Sequence, residues 1–371
     1  MPISSLVLHD FFLEPDGGGR VALHLARLLG GDLVGGEFDP AAYPADHFGP
    51  LAPRSLGAYG LRMPPISRIG KLWRAFATMP RQERPVTVFS GQVSPLAHRR
   101  VMGAKVCYCH TPPRLLYDKR EALVRRAPAI CRPGLLALLP FYRRAYERAM
   151  RDMDLIICNS ENVRRRVRDY LGLEAVVVWP PCGDGFRWGG QEDYYLSTAR
   201  LDPLKRVDII VRAFVRMPDR RLVVTGDGPE MASLRSLAGS ASNIAFTGRV
   251  SDAEMRRMVG SCIATIYIPT DEDFGMSPVE SMAAGKPVIG VAEGGVLETV
   301  EDGASGVLIP APPSADALAR AVRGMDARTA HGMREACEAR AERFSGRRFD
   351  ASMKSLLGPL TRAEIPAAPT R

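Results

Sequence analysis

Long apolar runs are missing from this chain of 371 residues. No stretch approaches the roughly 18 consecutive apolar residues that a membrane-spanning helix needs. The first residues, MPISSLVLHDFF, lack the basic start of a secretory signal and are followed at once by acids. We therefore expect a β-strand at the N-terminus and a cytoplasmic protein.

Cysteines and aromatic residues show no pattern that marks a metal site or a nucleic-acid site. The seven cysteines are an odd number without the paired spacing of a zinc site, and Cys107 and Cys109 fall on one face of a predicted strand. Reduced, buried thiols are expected. Aromatic residues make up only 7% of the chain, and no RNA-binding signature is present. Nucleic acid is therefore not expected as a partner.

Positive charge is concentrated in one half of the chain. Residues 1–180 carry a net charge of +10 and residues 181–371 a net charge of −1, within a total of +9. Residues 132–151 place leucines and aromatic residues beside five arginines, and Pro140 is predicted to interrupt this helix. Such a segment either faces its own core or lies on anionic lipid headgroups. We predict the second, a peripheral association with the membrane.

Short apolar strands alternate with amphipathic helices along most of the chain, which indicates parallel α/β sheets. The length favours two domains. We predict a first domain at residues 1–180, a Pro- and Gly-rich linker at 181–193 and a second domain at 194–345. A C-terminal helix at 346–360 that can cross back to the first domain, and a tail at 361–371, complete the prediction.

The stretch 270–295, TDEDFGMSPVESMAAGKPVIGVAEGG, carries the most specific pattern. Glu272 and Glu280 are separated by seven residues and flank a turn that contains Gly275. We predict Ser277 as a helix N-cap followed by Pro278, which leaves Glu272 on the loop and Glu280 in the first turn. Free N–H groups at this helix start suit a phosphate. The structural alternatives are a capping box for Glu280 and a solvated acidic loop for Glu272.

Other segments supply groups that suit a phosphate-containing ligand. Arg200 and Lys205 follow the first strand of the second half, Gly226 follows the next strand, and Gly17–Gly19 form a predicted turn after the first strand of the chain. Open α/β sheets bind ligands at this end of their strands. His110 ends the strand KVCYCH. The respective alternatives are two solvated basic residues at a helix start, ordinary βα turns and a structural histidine.

These motifs together resemble the retaining glycosyltransferases of family 4 over nearly the whole chain. The resemblance rests on EDFGMSPVE, on Arg-x4-Lys (Arg200, Lys205), on GDGPE at 226–230 and on FTGRVSD at 246–252. YCHTPPRLLYD at 108–118 is most similar to a branch containing bacterial O-antigen and exopolysaccharide mannosyltransferases. The resemblance implies the GT-B fold, in which two Rossmann-like α/β/α domains face each other across a cleft. Cys182-Gly183 in the linker departs from the family pattern, and the N-terminal acceptor region has no recognisable signature.

The resemblance also implies roles for residues that match the family motifs. Glu280 would hold the ribose hydroxyls of a nucleotide sugar, and Arg200 and Lys205 would pair with its diphosphate. Glu272 and His110 would be catalytic, contacting the sugar hydroxyls and the region of the reacting carbon. The other implied donor contacts are Gly17, Gly18, Gly19, Gly226, Arg249, Val250, Phe274, Gly275, Met276 and Ser277.

On this basis the sequence predicts a retaining, metal-independent hexosyltransferase without a cofactor. GDP-mannose is the favoured donor and a UDP-sugar the alternative. The acceptor is lipid-linked or saccharide, in cell-surface polysaccharide or glycolipid synthesis at the inner face of the cytoplasmic membrane. Three other functions remain open: a sugar-nucleotide epimerase on the same fold, a transferase that binds a metal through Asp271 and Asp273, and a non-catalytic protein that binds an anionic ligand.

Overall fold

A computed structural model describes residues 5–58, 65–182 and 184–362. The chain divides into two compact units, Met1–Trp179 with Asp350–Arg371, and Pro180–Phe349. Each unit is built on its own parallel sheet, which confirms the predicted α/β class. Residue 183 of the predicted linker and residues 363–371 of the predicted tail lie outside the described residues.

The first unit contains a seven-stranded sheet with the order β3-β2-β1-β4-β5-β6-β7. Apolar runs such as LVLH in the first strand supply fully buried side chains to its core, and the helices that connect the strands are amphipathic. The strands are β1 Leu6–His9, β2 Asp32–Gly35, β3 Arg54–Ser55, β4 Gln82–Ser90, β5 Val101–Cys109, β6 Leu155–Cys158 and β7 Val176–Val177. The helices are α1 Gly17–Leu29, α2 Pro65–Thr78, α3 Arg120–Arg126, α4 Arg132–Arg151 and α5 Glu161–Leu171.

Helix α4 is continuous, so the prediction that Pro140 interrupts it is wrong. A proline in a helix interior removes one backbone hydrogen bond and leaves the carbonyl group four residues earlier without its partner. Pro140 and Leu136 both lie on the exposed side of α4, where water can satisfy that carbonyl. The helix instead follows its buried stripe, which includes Leu135, Leu139, Tyr142, Tyr146 and Met150.

The second unit contains a six-stranded sheet with the order β10-β9-β8-β11-β12-β13. Its strands are β8 Tyr195–Ser197, β9 Leu222–Thr225, β10 Ile244–Gly248, β11 Thr265–Tyr267, β12 Val288–Val291 and β13 Gly306–Ile309. Its helices are α6 Val207–Val215, α7 Met231–Ala238, α8 Asp252–Ser261, α9 Met276–Ala283, α10 Val296–Thr299, α11 Ala315–Gly324, α12 Ala327–Gly332 and α13 Arg334–Glu342.

The order of these strands brings distant loops together. All strand pairs described in the second sheet are parallel, and β8 lies between β9 and β11. The loops that follow β8, β9, β11 and β12 therefore leave the sheet at the same, carboxyl edge. In open parallel sheets this is the edge where ligands bind.

The last helix, α14 Gly346–Arg362, begins in the second unit and continues into the first. Within the first unit, its Asp350 carboxylate lies 2.7 Å from Nε2 of His24 on α1. Across the described ranges, no helix has the length and hydropathy that crossing a membrane requires.

Candidate active site

The carboxyl edge of the second sheet brings together two of the predicted residues. Nζ of Lys205, on the loop after β8, donates to Oε2 of Glu272, on the loop after β11, at 2.6 Å. It also donates to the Tyr267 hydroxyl at 3.2 Å, at the end of β11. The side chains of Lys205 and Glu272 are each 21% exposed. Protein atoms therefore shield most of this ion pair from water, and a ligand can still reach it.

The environment keeps Lys205 charged. Burial alone would lower the pKa of its ammonium group, but the negative charge of Glu272 and the hydrogen bonds to Glu272 and Tyr267 raise that pKa above its ordinary value. Burial also raises the pKa of the Tyr267 hydroxyl, so Tyr267 is neutral at pH 7. Lys205 therefore offers a fixed cation to an anionic ligand, balanced in the free protein by the Glu272 carboxylate.

Helix α9 begins earlier than predicted. Met276 is its first residue and Gly275 its N-cap, with a left-handed φ of 91° and no side-chain cap, so the prediction of Ser277 as N-cap is wrong. Glycine adopts this φ without the steric cost that a Cβ carries. Pro278 is then the third helical residue, where its missing N–H breaks no helical hydrogen bond. Glu280 lies one turn into α9, half-buried, and not in a capping box with Ser277.

The other predicted donor-site residues of this unit also lie on loops after strands, with different exposure. Arg200 and Arg249 are exposed, and Val250 packs at the border of an apolar cluster. Phe274 is buried and its ring meets Phe344 edge-on, with centroids 5.5 Å apart, so its side chain serves packing. Gly226 has a φ of 109° and lies against the carbonyl of Ala199, on the loop after β8.

The first unit places His110 beside residues that sequence reasoning missed. Nε2 of His110 lies 2.8 Å from Oγ of Ser90, at the end of β4. The carbonyl group of Ser90 is also hydrogen-bonded to Nδ1 of His9, its register partner at the end of β1. A Cβ built on Gly18 would lie 3.5 Å from His9 and 3.7 Å from His110. His110 and Gly18, both predicted, thus converge at the carboxyl edge of the first sheet.

Gly17–Gly19 form the first turn of α1 and not the loop that was predicted. Asp16 is the N-cap, and its Oδ1 accepts from the backbone N–H of Gly19 at 2.6 Å. A Cβ on Gly19 would lie only 2.5 Å from the Tyr43 hydroxyl. The glycines therefore allow Tyr43 to approach this turn. A helix N-terminus next to His110 still suits an anion.

Two further polar side chains near His110 were not recognised from the sequence. Arg166, on α5, is buried and donates to Oγ1 of Thr111 at 3.0 Å. Asp10 is buried and accepts from the backbone N–H groups of Gln92, Val93 and Ser94. His9 and Asp10 are a polar pair inside the apolar run of the predicted first strand, and this was the one available signal for them.

We expect His110 to make the protein less stable in acid. Burial and the nearby charge of His9 lower the pKa of His110 to about 3. Below about pH 6.5 the unfolded chain binds a proton at this position that the folded chain does not, so the free energy of unfolding falls as the pH falls towards 3. The full effect is about 1.4 kcal/mol per pH unit; since part of the ring is accessible, we expect less.

Urea unfolding between pH 7.5 and pH 5 measures this slope. His110→Gln should flatten it, and the exposed His47→Gln should leave it as in the wild type. Equal slopes in all three proteins would mean that His110 is protonated in the folded state.

Within the described ranges, no group of three or more His, Cys, Asp or Glu side chains is placed to hold a metal ion. Asp271 and Asp273 therefore have no third ligand of these types among the residues described.

Solved structures with a similar architecture identify the fold. The chain superposes with a TM-score of 0.75 on sucrose-phosphate synthase from Thermosynechococcus elongatus, at 18% identity, covering 96% of this chain and 99% of that one. It superposes with a TM-score of 0.71 on HepE from Anabaena, solved with UDP and glucose, at 17% identity and the same coverage. WaaG, a glycosyltransferase of lipopolysaccharide biosynthesis, gives a TM-score of 0.71 at 14% identity, covering 98% and 100%. The fold is therefore GT-B.

Two family models match the two units. Residues 15–184 match "Glycosyltransferase Family 4" and residues 185–343 match "Glycosyl transferases group 1". Because these models together account for most of the chain, it belongs to the family 4, group 1 glycosyltransferases.

Curated relatives resemble this chain over part of its length. A D-inositol 3-phosphate glycosyltransferase of Mycobacterium avium is 33% identical over 185 residues, 46% of this chain and 42% of the relative. An uncharacterized glycosyltransferase of Methanocaldococcus jannaschii is 29% identical over 169 residues, 45% and 48% of the two chains. The chain spans about half the length of the curated relatives it matches.

Proposed function

We propose that this protein transfers a hexose from a nucleotide sugar to a lipid-linked or saccharide acceptor, with retention at the anomeric carbon and without a metal ion. The observation that carries the proposal is the Lys205–Glu272 pair, at 2.6 Å beside the N-terminus of α9, in a family 4 glycosyltransferase. The second unit binds the donor. The basic first unit binds the acceptor on the cytoplasmic side of the membrane.

The site suits the charges that develop when a sugar–phosphate bond breaks. Negative charge accumulates on the leaving diphosphate, and Lys205, Arg200 and the N–H groups that begin α9 can stabilise it without rearranging. Positive charge develops on the sugar ring, near which Glu272 can hold hydroxyl groups. Because its low pKa keeps His110 neutral at pH 7, this side chain can hydrogen-bond a sugar hydroxyl but cannot supply a cation.

A screen of nucleotide sugars for thermal stabilisation tests the donor. GDP-mannose is favoured by the sequence resemblance, and UDP-sugars are supported by HepE, whose solved structures include UDP and UDP-glucose. A specific donor should raise the melting temperature by mass action. Glu280→Gln should weaken the binding of that donor by roughly tenfold, because one hydrogen bond to a charged group is lost. A lack of stabilisation by any nucleotide sugar would overturn the proposal.

Radiolabelled donor separates transfer from epimerisation. Label should pass to an acceptor in the presence of lipid-linked saccharides from membranes. Soluble phosphorylated polyols form a second arm, because curated relatives are named for D-inositol 3-phosphate. Label found in a different sugar that is still attached to the nucleotide would identify an epimerase.

We expect transfer to survive EDTA. The diphosphate can be neutralised by Lys205 and Arg200 together with the helix N-terminus, so a divalent cation is not required for the leaving group. The measurement is the transfer rate with excess EDTA, and then with Mg²⁺ or Mn²⁺ restored. A rate that is lost and then regained with metal would assign Asp271 and Asp273 as ligands instead.

Exposed apolar side chains on and next to α4 support membrane association of the first unit. Leu136 is 42% exposed and Phe141 63% exposed, and Ile130, just before the helix, is 90% exposed. Arg144 and Arg148 lie on the same face as Phe141, since positions three and seven residues apart share a helix face. Exposed apolar side chains beside arginines fit an anionic lipid surface, with each arginine contributing about 1 kcal/mol at best.

We therefore expect salt-sensitive binding to anionic liposomes and not to neutral ones. Changing Arg143, Arg144 and Arg148 together to Glu should abolish co-sedimentation, because the substitutions reverse the charge near the exposed apolar side chains of α4. Phe141→Asp should weaken it. The matched control changes three exposed arginines of the second unit, Arg212, Arg216 and Arg323, to Glu and should retain binding. Equal sedimentation with neutral and anionic vesicles, or sedimentation with neither, would contradict the membrane association and favour a soluble acceptor.

A further inference from the structure

One carboxylate ties three loops together at the carboxyl edge of the second sheet. Glu293 lies on the loop after β12. Its Oε2 accepts from Nη1 of Arg206, on the loop after β8, at 2.8 Å, and its Oε1 accepts from the backbone N–H of Asp271, on the loop after β11, at 2.7 Å. Nη1 of Arg206 also donates to the carbonyl of Pro269 at 3.2 Å. Glu293 thus holds both loops that carry the Lys205–Glu272 pair.

The two residues that Glu293 holds have unusual backbones. Arg206 has a φ of 53° and Asp271 a φ of 46°, and throughout the described residues they are the two non-glycine residues with positive φ. A residue with a Cβ adopts this region at a cost and keeps it where its surroundings enforce it. Lys205 directly precedes Arg206 and Glu272 directly follows Asp271. The turns at these residues therefore set the directions of Lys205 and Glu272.

The glycines after Glu293 bring the same segment against the loop that carries Glu272. A Cβ on Gly294 would lie 2.6 Å from the carbonyl oxygen of Glu272, and one on Gly295 would lie 2.5 Å from Cα of Phe274. The N–H of Gly295 donates to the carbonyl of Glu272 at 2.8 Å. Residues 293–295 therefore contact the backbone on both sides of the Glu272 side chain.

We propose that Glu293 is a positioning residue of the donor site. It keeps Arg206 and Asp271 in their left-handed conformations, and through them it aims Lys205 and Glu272 at the diphosphate and the sugar. The identity of that ligand rests on the proposed function, but the restraint on the two loops does not.

Amide hydrogen exchange tests the restraint without any ligand. In Glu293→Ala, peptides covering residues 201–206 and 269–275 should exchange faster, because the Asp271 N–H and Arg206 lose their acceptor. Glu293→Gln should be intermediate, since its amide oxygen can still accept from Asp271 but carries no charge for Arg206. The matched control is Asp316→Ala, which removes an exposed ion pair at 2.7 Å from Arg216 and should leave both peptides unchanged. Wild-type exchange in Glu293→Ala would overturn the proposal.

Nucleotide affinity tests whether the restraint serves the donor site. Glu293→Ala should lower the affinity for UDP or GDP, whichever the wild type binds, by about tenfold. Glu293→Gln should lower it less. Adding Asp271→Gly to Glu293→Ala should also recover affinity, because glycine reaches a φ of 46° without the cost that Glu293 offsets. Faster exchange with unchanged affinity would make Glu293 merely structural and overturn the positioning role. A wild type that binds neither nucleotide would reject the proposed function, while the exchange result would still decide the restraint.

Discussion

We expect Lys205→Ala to weaken the binding of the nucleotide sugar by about a hundredfold, the upper range for hydrogen bonds to a charged group. Two effects add. The diphosphate loses one of its two cations, and the Glu272 carboxylate, now without its partner at 2.6 Å, repels the anionic ligand. Isothermal titration with the nucleoside diphosphate measures the loss.

Two companion variants separate charge from packing. Lys205→Met keeps an unbranched side chain at this position but removes the ammonium group, which lies 5.4 Å from the centre of the Tyr267 ring, and should lose affinity to a similar extent. Arg212→Ala removes an exposed cation of α6 and should bind as the wild type does. Full affinity in Lys205→Met would mean that Lys205 serves the fold and that the diphosphate is held elsewhere.

We expect Gly294→Ala to be strongly destabilising, because position 294 combines a left-handed backbone with close contact to another backbone segment. Gly294 has a φ of 60°, and a Cβ there would lie 2.6 Å and 2.7 Å from backbone atoms of Glu272. The left-handed conformation costs roughly 1–2 kcal/mol for a residue with a Cβ. Displacing a packed backbone adds about 1–3 kcal/mol. The free energy of unfolding of the second unit should therefore fall by roughly 2–5 kcal/mol.

Gly303→Ala is the matched control, because Gly303 has a φ of 77° and a Cβ added there would meet no heavy atom of the described residues within 4 Å. It should cost roughly 1–2 kcal/mol, from the backbone alone. Replacing Trp73 and Trp179 by Phe leaves Trp188, in the second unit, as the fluorescent probe of urea unfolding. Equal losses in the two alanine variants would show that contact with the Glu272 loop does not require glycine at position 294.

Elements bounded by local signals were predictable. The sequence pattern predicts helices over 161–171 and 207–215 and a strand over 155–158, and α5, α6 and β6 have these bounds. In α5, the Ser160 side chain accepts from the N–H of Val163, and Gly172 ends the helix in a left-handed conformation. Such caps act over a few residues, so the local sequence is sufficient to show them.

Errors occurred where a distant segment decided the conformation. Ser277-Pro278 is a good local signal for a helix start, but α9 begins two residues earlier because Gly275 turns the chain at a φ of 91°. The loop before that turn is held by Glu293 and Gly295. A contact between loops after different strands cannot be read from the residues of one loop.

The sequence by itself determined the α/β class, the family resemblance and the candidate residues on strand-end loops, because apolar periodicity and motif spacing are properties of neighbouring residues. Tertiary structure alone decided which of those residues meet. Lys205 reaches Glu272 and Tyr267 because β8 and β11 are neighbours in the sheet, and His110 meets Ser90 because β4 lies beside β5. Strand order results from burying the apolar faces of each sheet under its own helices. That condition involves a whole unit and leaves no local pattern in the chain.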